Sequence, residues 1–192
     1  MRTSPWLIPV TSLLCAATLV AQTAKPPAPR PAAAAPQTTY RPVATVKDVM
    51  EYIVIPSSQF AFGAVGSVEG PNGLEEKAPK NDAEWAEVRK HLLLLSEAGN
   101  LLMVPGRHIA GPSDKSSNPG TELEPSEMEA LVVKDRAGFA KKARGFIDAT
   151  ALALKAADAK NAEALSDAEG EIDDACESCH LVFWYPNQKI PK

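Results

Sequence analysis

The stretch NAEALSDAEGEIDDACESCHLVFWY, residues 161–185, decides the fold. Its apolar residues recur at helical spacing. Leu165, Ile172 and Cys179 form one row, Ala168, Ala175 and Val182 the next, and Cys176 and Phe183 a third. Glu163, Asp167, Glu169, Glu171, Asp173, Asp174 and Glu177 fill the positions between. Pro186 ends the pattern, because the residue before a proline is pushed out of the helical region. Such a helix must bury its apolar stripe against other elements.

Working outward, three more segments carry the same period. In the third, Pro125 opens a helix at a first-turn position, and Val132, Phe139, Phe146 and Ala153 follow seven apart, with Ala143, Thr150 and Ala157 alongside. The second begins at Asn81, an N-cap with Glu84 three residues on. It carries Trp85, Leu92 and Gly99 on one row and Val88, Leu95 and Leu102 on the other, and Pro105-Gly106 stops it. The first, 45–65, sets Val46, Ile53 and Phe60 seven apart, with Met50, Ser57 and Ala64 beside them; Pro56 predicts a kink or break. Residues 66–79, rich in glycine and proline, read as a loop, and 106–124 as a second, longer one. No stretch alternates long enough for a competing strand. The fold expected is all-α, an antiparallel four-helix bundle spanning 45–186 with a short tail, 187–192.

The termini and composition bound the setting. Arg2 followed by the apolar run 6–21 reads as an export signal, 1–21, with Ala21 before the cleavage point; a retained anchor is the alternative, and the run is short for one. Leu14 before Cys15 argues against lipid attachment. Residues 22–44, with KPPAPRPAAAAPQTTYRP at their centre, read as an extended linker. The expected location is outside the cytosol, in the periplasm, with no stable membrane anchor. The 192 residues are 45% apolar, which suffices for one core, and a net charge of −4 without a Lys/Arg cluster gives no nucleic-acid surface.

The chemistry sits at Cys176-Glu177-Ser178-Cys179-His180, the C-x-x-C-H haem attachment pattern. On a helix, residues three and four apart share a face, so two thiols and an imidazole point the same way. Each thiol can add to a haem vinyl group, and the imidazole then stands under the iron. A thioredoxin-like pair would sit after a strand at a helix start, whereas this one lies near a helix end. A zinc site would need further ligands, and only His91 and His108 remain at non-ligand spacing. The cofactor expected is therefore one covalent haem c.

With that motif in the last helix and the aromatic Phe183 three residues on, 45–185 resembles the class II cytochromes c, the cytochrome c prime family. Trp184 stands where family members often carry a basic residue. The resemblance implies haem held among the helices near the end of the last one, no substrate turnover and hence no enzyme, and it allows a homodimer. It also implies two behaviours. Low-spin members fill the distal side of the iron with a first-helix methionine and shuttle electrons; high-spin members leave it open and bind gases such as nitric oxide or carbon monoxide. Met50, early in the first helix and level with the end of an antiparallel last helix, is the candidate sixth ligand. An electron carrier is the first expectation and a gas-binding module the alternative.

Several other residues read as structural. His91 is expected on the surface, His108 solvated in its loop, and Arg41 and Arg107 exposed, with pairing to a haem propionate as their functional alternative. Met103 and Met128 read as packing. Trp184 and Tyr185 either wall the haem edge or form the amphipathic helix end. The acidic face of the last helix is expected to be solvated, with steering of a basic redox partner as its functional reading.

Overall fold

The computed structural model describes residues 40–71 and 73–188. The export signal and most of the linker lie outside them. The elements are α1 (Val46–Val49), a π-helical turn (Met50–Val54), α2 (Ile55–Phe62), β1 (Gly66–Gly70), β2 (Gly73–Lys77), α3 (Asp82–Leu102), α4 (Pro125–Lys134), α5 (Arg136–Asp158) and α6 (Ala162–Phe183). Among the described residues no helix is long and apolar enough to cross a membrane.

Pro56 shapes the first helix differently from the expected kink or break. Proline offers no N–H and crowds the carbonyl four residues back. The chain stays helical by widening one turn before it, and the Ile55 N–H donates to Met50 O across five residues. Pro56 then sits in the first turn of α2, where its missing donor costs least. The wider turn shifts the helical phase. Val49, Val54, Ser57 and Ala61 are buried, while Phe60, on the row expected to face the core, is exposed. Thr45 caps this helix, its Oγ1 accepting from Asp48 N (3.1 Å) and its N–H donating to Asp48 Oδ2 (2.8 Å).

Side-chain and backbone contacts set the register. The first helix runs against α3: Arg107 donates to Ala44 O at one end, and His91 stacks on Phe60 at the other. The direction reverses again between α3 and α5, where Arg136 reaches Val104 O and Arg89 pairs with Asp158 at 2.7 Å. Between these contacts a Cβ on Gly99 would meet Ile147 and Ala143. The tight turn 159–161, with Lys160 at φ 52°, sends α6 back along α5, so Phe139 near the start of one meets Phe183 at the end of the other, edge to face at 5.3 Å. The result is an antiparallel bundle around Trp85, Val88, Leu92, Leu95, Phe146, Leu165 and Ile172, all buried.

Three local readings need correction. The expected third helix is two: Asp135 leaves the helical region (φ −128°, ψ 62°), ends α4 and caps α5 by accepting from Gly138 N. The expected loop 66–79 holds an antiparallel hairpin, Gly66 opposite Lys77 and Gly70 opposite Gly73. It is solvent-exposed on most of its surface and adds nothing to the core. Val182, on an apolar row of the last helix, is 42% exposed; it lies in the final turn of α6, which ends at Phe183.

Candidate functional site

Cys176, Cys179 and His180 lie on the last turns of α6, all half-buried, with both thiols unbonded to each other and packed against the apolar core. The helix ends just beyond. Pro186 keeps Tyr185 out of the helix, and the N–H groups of Trp184 and Tyr185 both donate to His180 O at 2.9 Å. This closing turn folds two aromatic rings back over the imidazole. Trp184 stands edge-on to His180 at 4.9 Å, and Tyr185 lies at 5.6 Å. The phenol donates to Glu177 Oε2 at 2.6 Å and lies 3.3 Å from His180 Nδ1. The long loop is tied to the same turn: Leu123 N–H donates to Trp184 O at 2.9 Å.

Burial controls the ionisation here. It pushes the Cys176 thiol up to about 11, reinforced by the nearby Asp173 charge, and the Cys179 thiol up to about 11. Both thiols are protonated at neutral pH. A dithiol redox pair needs the opposite shift, so the geometry disfavours that alternative. Burial lowers the His180 pKa, against the opposing charges of Glu177 and Asp173, leaving a neutral imidazole free to act as a ligand. Among the described residues no three His, Cys, Asp or Glu side chains converge where they could hold a single metal ion. Two protonated thiols and a neutral imidazole on one half-buried helix face instead suit a planar group anchored at two points.

Met50 is half-buried at the head of the π-helical turn. The register brings it to the same level as the thiols. Ala44 faces Arg107 and Ser57 faces His91, so Met50 lies opposite the region of Gly99; Gly99 faces Ala143 and Ile147; and these, by the Phe139–Phe183 contact and the turn at 159–161, lie opposite the Cys176 region. The Met50 end of the first helix packs chiefly on α3, and the first helix meets α6 mainly through α2.

The other candidates fall elsewhere. His91 is half-buried rather than on the surface. It stacks on Phe60 at 4.2 Å, with Nδ1 3.4 Å from Ser57 Oγ, and burial lowers its pKa. His108 is exposed and lies 3.7 Å from Glu129. Arg107 is buried instead of exposed: its guanidinium donates to Leu101 O at 2.8 Å and to Ala44 O, tying the chain before the first helix to the end of α3. Arg41 is exposed. Met103 and Met128 pack against the core as expected. In the sequence Trp184 and Tyr185 were legible as a wall to the haem edge or as a helix end, and Glu177 as part of an acidic face; their contacts with His180 and with each other were not. The signal that could have found them is Pro186, which stops the helix while Tyr185 is still within reach of 177 and 180.

Comparison with known proteins bears on the same residues. Residues 110–183 match the family model described as Cytochrome C'. The cofactor that goes with this match is haem c with its iron, and the matched residues contain the whole Cys176–His180 motif. The family resemblance drawn on the sequence is supported over that span. No curated protein matches the chain. Among solved structures it is similar to a cytochrome c prime, at 18% identity over 73% of this chain and 98% of the other, with a TM-score of 0.45. It is also similar to a nitric oxide complex of a variant of cytochrome c prime from Alcaligenes xylosoxidans, at 20% identity over 76% and 98%, with a TM-score of 0.43.

Proposed function

We propose that this chain is an exported mono-haem c-type cytochrome that carries electrons between redox partners. Cys176 and Cys179 hold the haem through thioether bonds, His180 ligates the iron, and Met50 is the sixth ligand. What supports the electron-transfer reading is the antiparallel register: Met50 lies opposite the region of Gly99, Gly99 packs on Ala143 and Ile147 of α5, and these lie opposite the Cys176 region of α6. A π-helical turn starting at a half-buried methionine adds to it, since such turns recur at functional sites.

The roles divide by chemistry. The two thiols tether at fixed spacing, and the buried neutral imidazole supplies a nitrogen ligand. The Met50 thioether is a soft ligand of the kind that raises a haem potential. The bound iron supplies a one-electron couple, so no substrate need be turned over. Glu163, Asp167, Glu171 and Asp174 line the exposed side of α6 at spacings of four, four and three, and fit a basic redox partner. Such a partner would associate more slowly as salt is raised. The apolar run 6–21 supports export to the periplasm.

The family match favours one second reading, a five-coordinate haem that binds small gases. The absorption spectrum of the reduced holoprotein with and without carbon monoxide separates the two. The electron-carrier reading expects a low-spin spectrum indifferent to carbon monoxide, converted by Met50→Ala to a high-spin form that binds it. A wild-type protein that is high-spin already would overturn Met50 ligation.

A further inference from the structure

The closing turn of α6 brings three polar groups into one line. His180 Nδ1 lies 3.3 Å from the Tyr185 phenol oxygen, and that phenol lies 2.6 Å from Glu177 Oε2. Glu177 and His180 are three residues apart on the helix and so share a face. Tyr185 lies outside the helix but is held against it, because its N–H donates to His180 O. Trp184 packs edge-on against the same imidazole, and its carbonyl is anchored to the long loop by Leu123. The phenol is thus fixed from the backbone up and has little freedom to leave.

An imidazole whose Nε2 binds a metal carries its hydrogen on Nδ1, and the acceptor of that hydrogen sets the ring's orientation and basicity. The line here has one consistent direction. A carboxylate can only accept, so the phenol hydrogen goes to Glu177, which leaves the phenol oxygen to accept from Nδ1–H.

We infer that Tyr185 is a positioning residue for His180: its phenol oxygen accepts the His180 Nδ1–H hydrogen bond while donating its own hydrogen to Glu177, so that a carboxylate charge is passed, through a neutral phenol, to the back of the iron-ligating imidazole. The inference rests on His180 being an iron ligand, as proposed above. It goes further by assigning the tuning of that ligand to Tyr185, which follows the motif, and to Glu177 inside it. The carboxylate polarises the phenol, the phenol enriches the imidazole in electron density, and the oxidised iron is favoured. A chain with Trp184 after Phe183 brings no cation there to oppose this.

The test uses purified holoprotein with two readouts, the reduction potential and the hydrogen exchange of the His180 Nδ1–H proton followed by NMR. Tyr185→Phe keeps the ring and removes the oxygen. It is expected to raise the potential and speed the exchange. Glu177→Gln keeps the phenol and weakens its polarisation, and is expected to move both in the same direction by less. An ordinary packing role for Tyr185 would leave the exchange rate as in wild type. Unchanged potential and exchange in Tyr185→Phe overturn the inference, as does a larger effect in Glu177→Gln than in Tyr185→Phe. If Tyr185→Phe retains too little haem to measure, Glu177→Gln alone decides: wild-type values for both readouts then overturn it. Failure of the haem reading itself shows separately, as a His180→Ala protein with the wild-type spectrum.

Discussion

Gly99→Ala should destabilise the bundle, although alanine is the better helix former. Gly99 is buried in α3 where that helix crosses α5. A Cβ placed on it would lie 2.5 Å from Ile147 Cγ1, 3.1 Å from Ile147 Cδ1 and 3.3 Å from Ala143 O. The first distance is below any real contact. The last is to backbone, which cannot rotate away. Alanine gains about 0.5–1 kcal/mol over glycine inside a helix, and overpacking a filled site costs roughly 1–3 kcal/mol. The net expectation is a loss of about 1 kcal/mol, or roughly 2–4 °C in Tm for a domain of this size. Gly145→Ala isolates the packing part. Gly145 is also helical, on α5, but a Cβ there meets nothing within 4 Å, so the propensity gain stands alone. Subtracting the two variants cancels propensity and leaves a difference of about 1–3 kcal/mol. Urea unfolding followed by circular dichroism measures it. Equal stability of the two variants would refute the close approach of α3 to α5 at this level, and with it part of the register that brings Met50 level with the thiols.

Other outcomes follow from the same structure. Trp85→Ala should cost roughly 3–5 kcal/mol by urea unfolding, because the ring is buried in the core. Arg107→Ala should cost about 1–3 kcal/mol by stranding Leu101 O and Ala44 O, and hydrogen exchange should speed up at 44–49 before it does in α5. Glu169 has one buried carboxylate oxygen without a partner, and burial pushes its pKa up to about 7 from 4.5. The folded state therefore holds this proton more tightly than the unfolded chain, and stability should fall as pH rises from about 4.5 to about 7 and level off above. Glu169→Gln should remove that component, so its advantage over wild type grows across the same window in thermal melts.

Much of the fold was legible because three of the four bundle helices are regular. The rows built on Trp85, Leu92, Phe139, Phe146, Leu165 and Ile172 are buried as their spacing requires. The first helix was misread in part, for a physical reason: a π-helical turn adds a residue to one turn, so the seven-residue row through Val46 and Ile53 ends on exposed Phe60, while Ser57 on the row from Met50 is buried. The break at Asp135 escaped a periodicity argument because Val132 and Phe139 stay on the core side of both helices. The hairpin was hidden by its composition, since Gly66–Gly70 and Gly73–Lys77 place no side chain in the core. In the site, the spacing of Cys176, Cys179 and His180 put them on one face without any structure. The Glu177–Tyr185–His180 line needed the turn geometry, because it depends on how the chain leaves the helix at Pro186.

The central claim is that Cys176 and Cys179 carry haem covalently. Acid–acetone extraction of the purified protein followed by intact-mass measurement tests it most directly. The account predicts a chain that stays coloured and carries the added mass of one haem, and a Cys176→Ala, Cys179→Ala variant that emerges bare. A wild-type chain stripped of all colour, at the mass of the polypeptide alone, would contradict it.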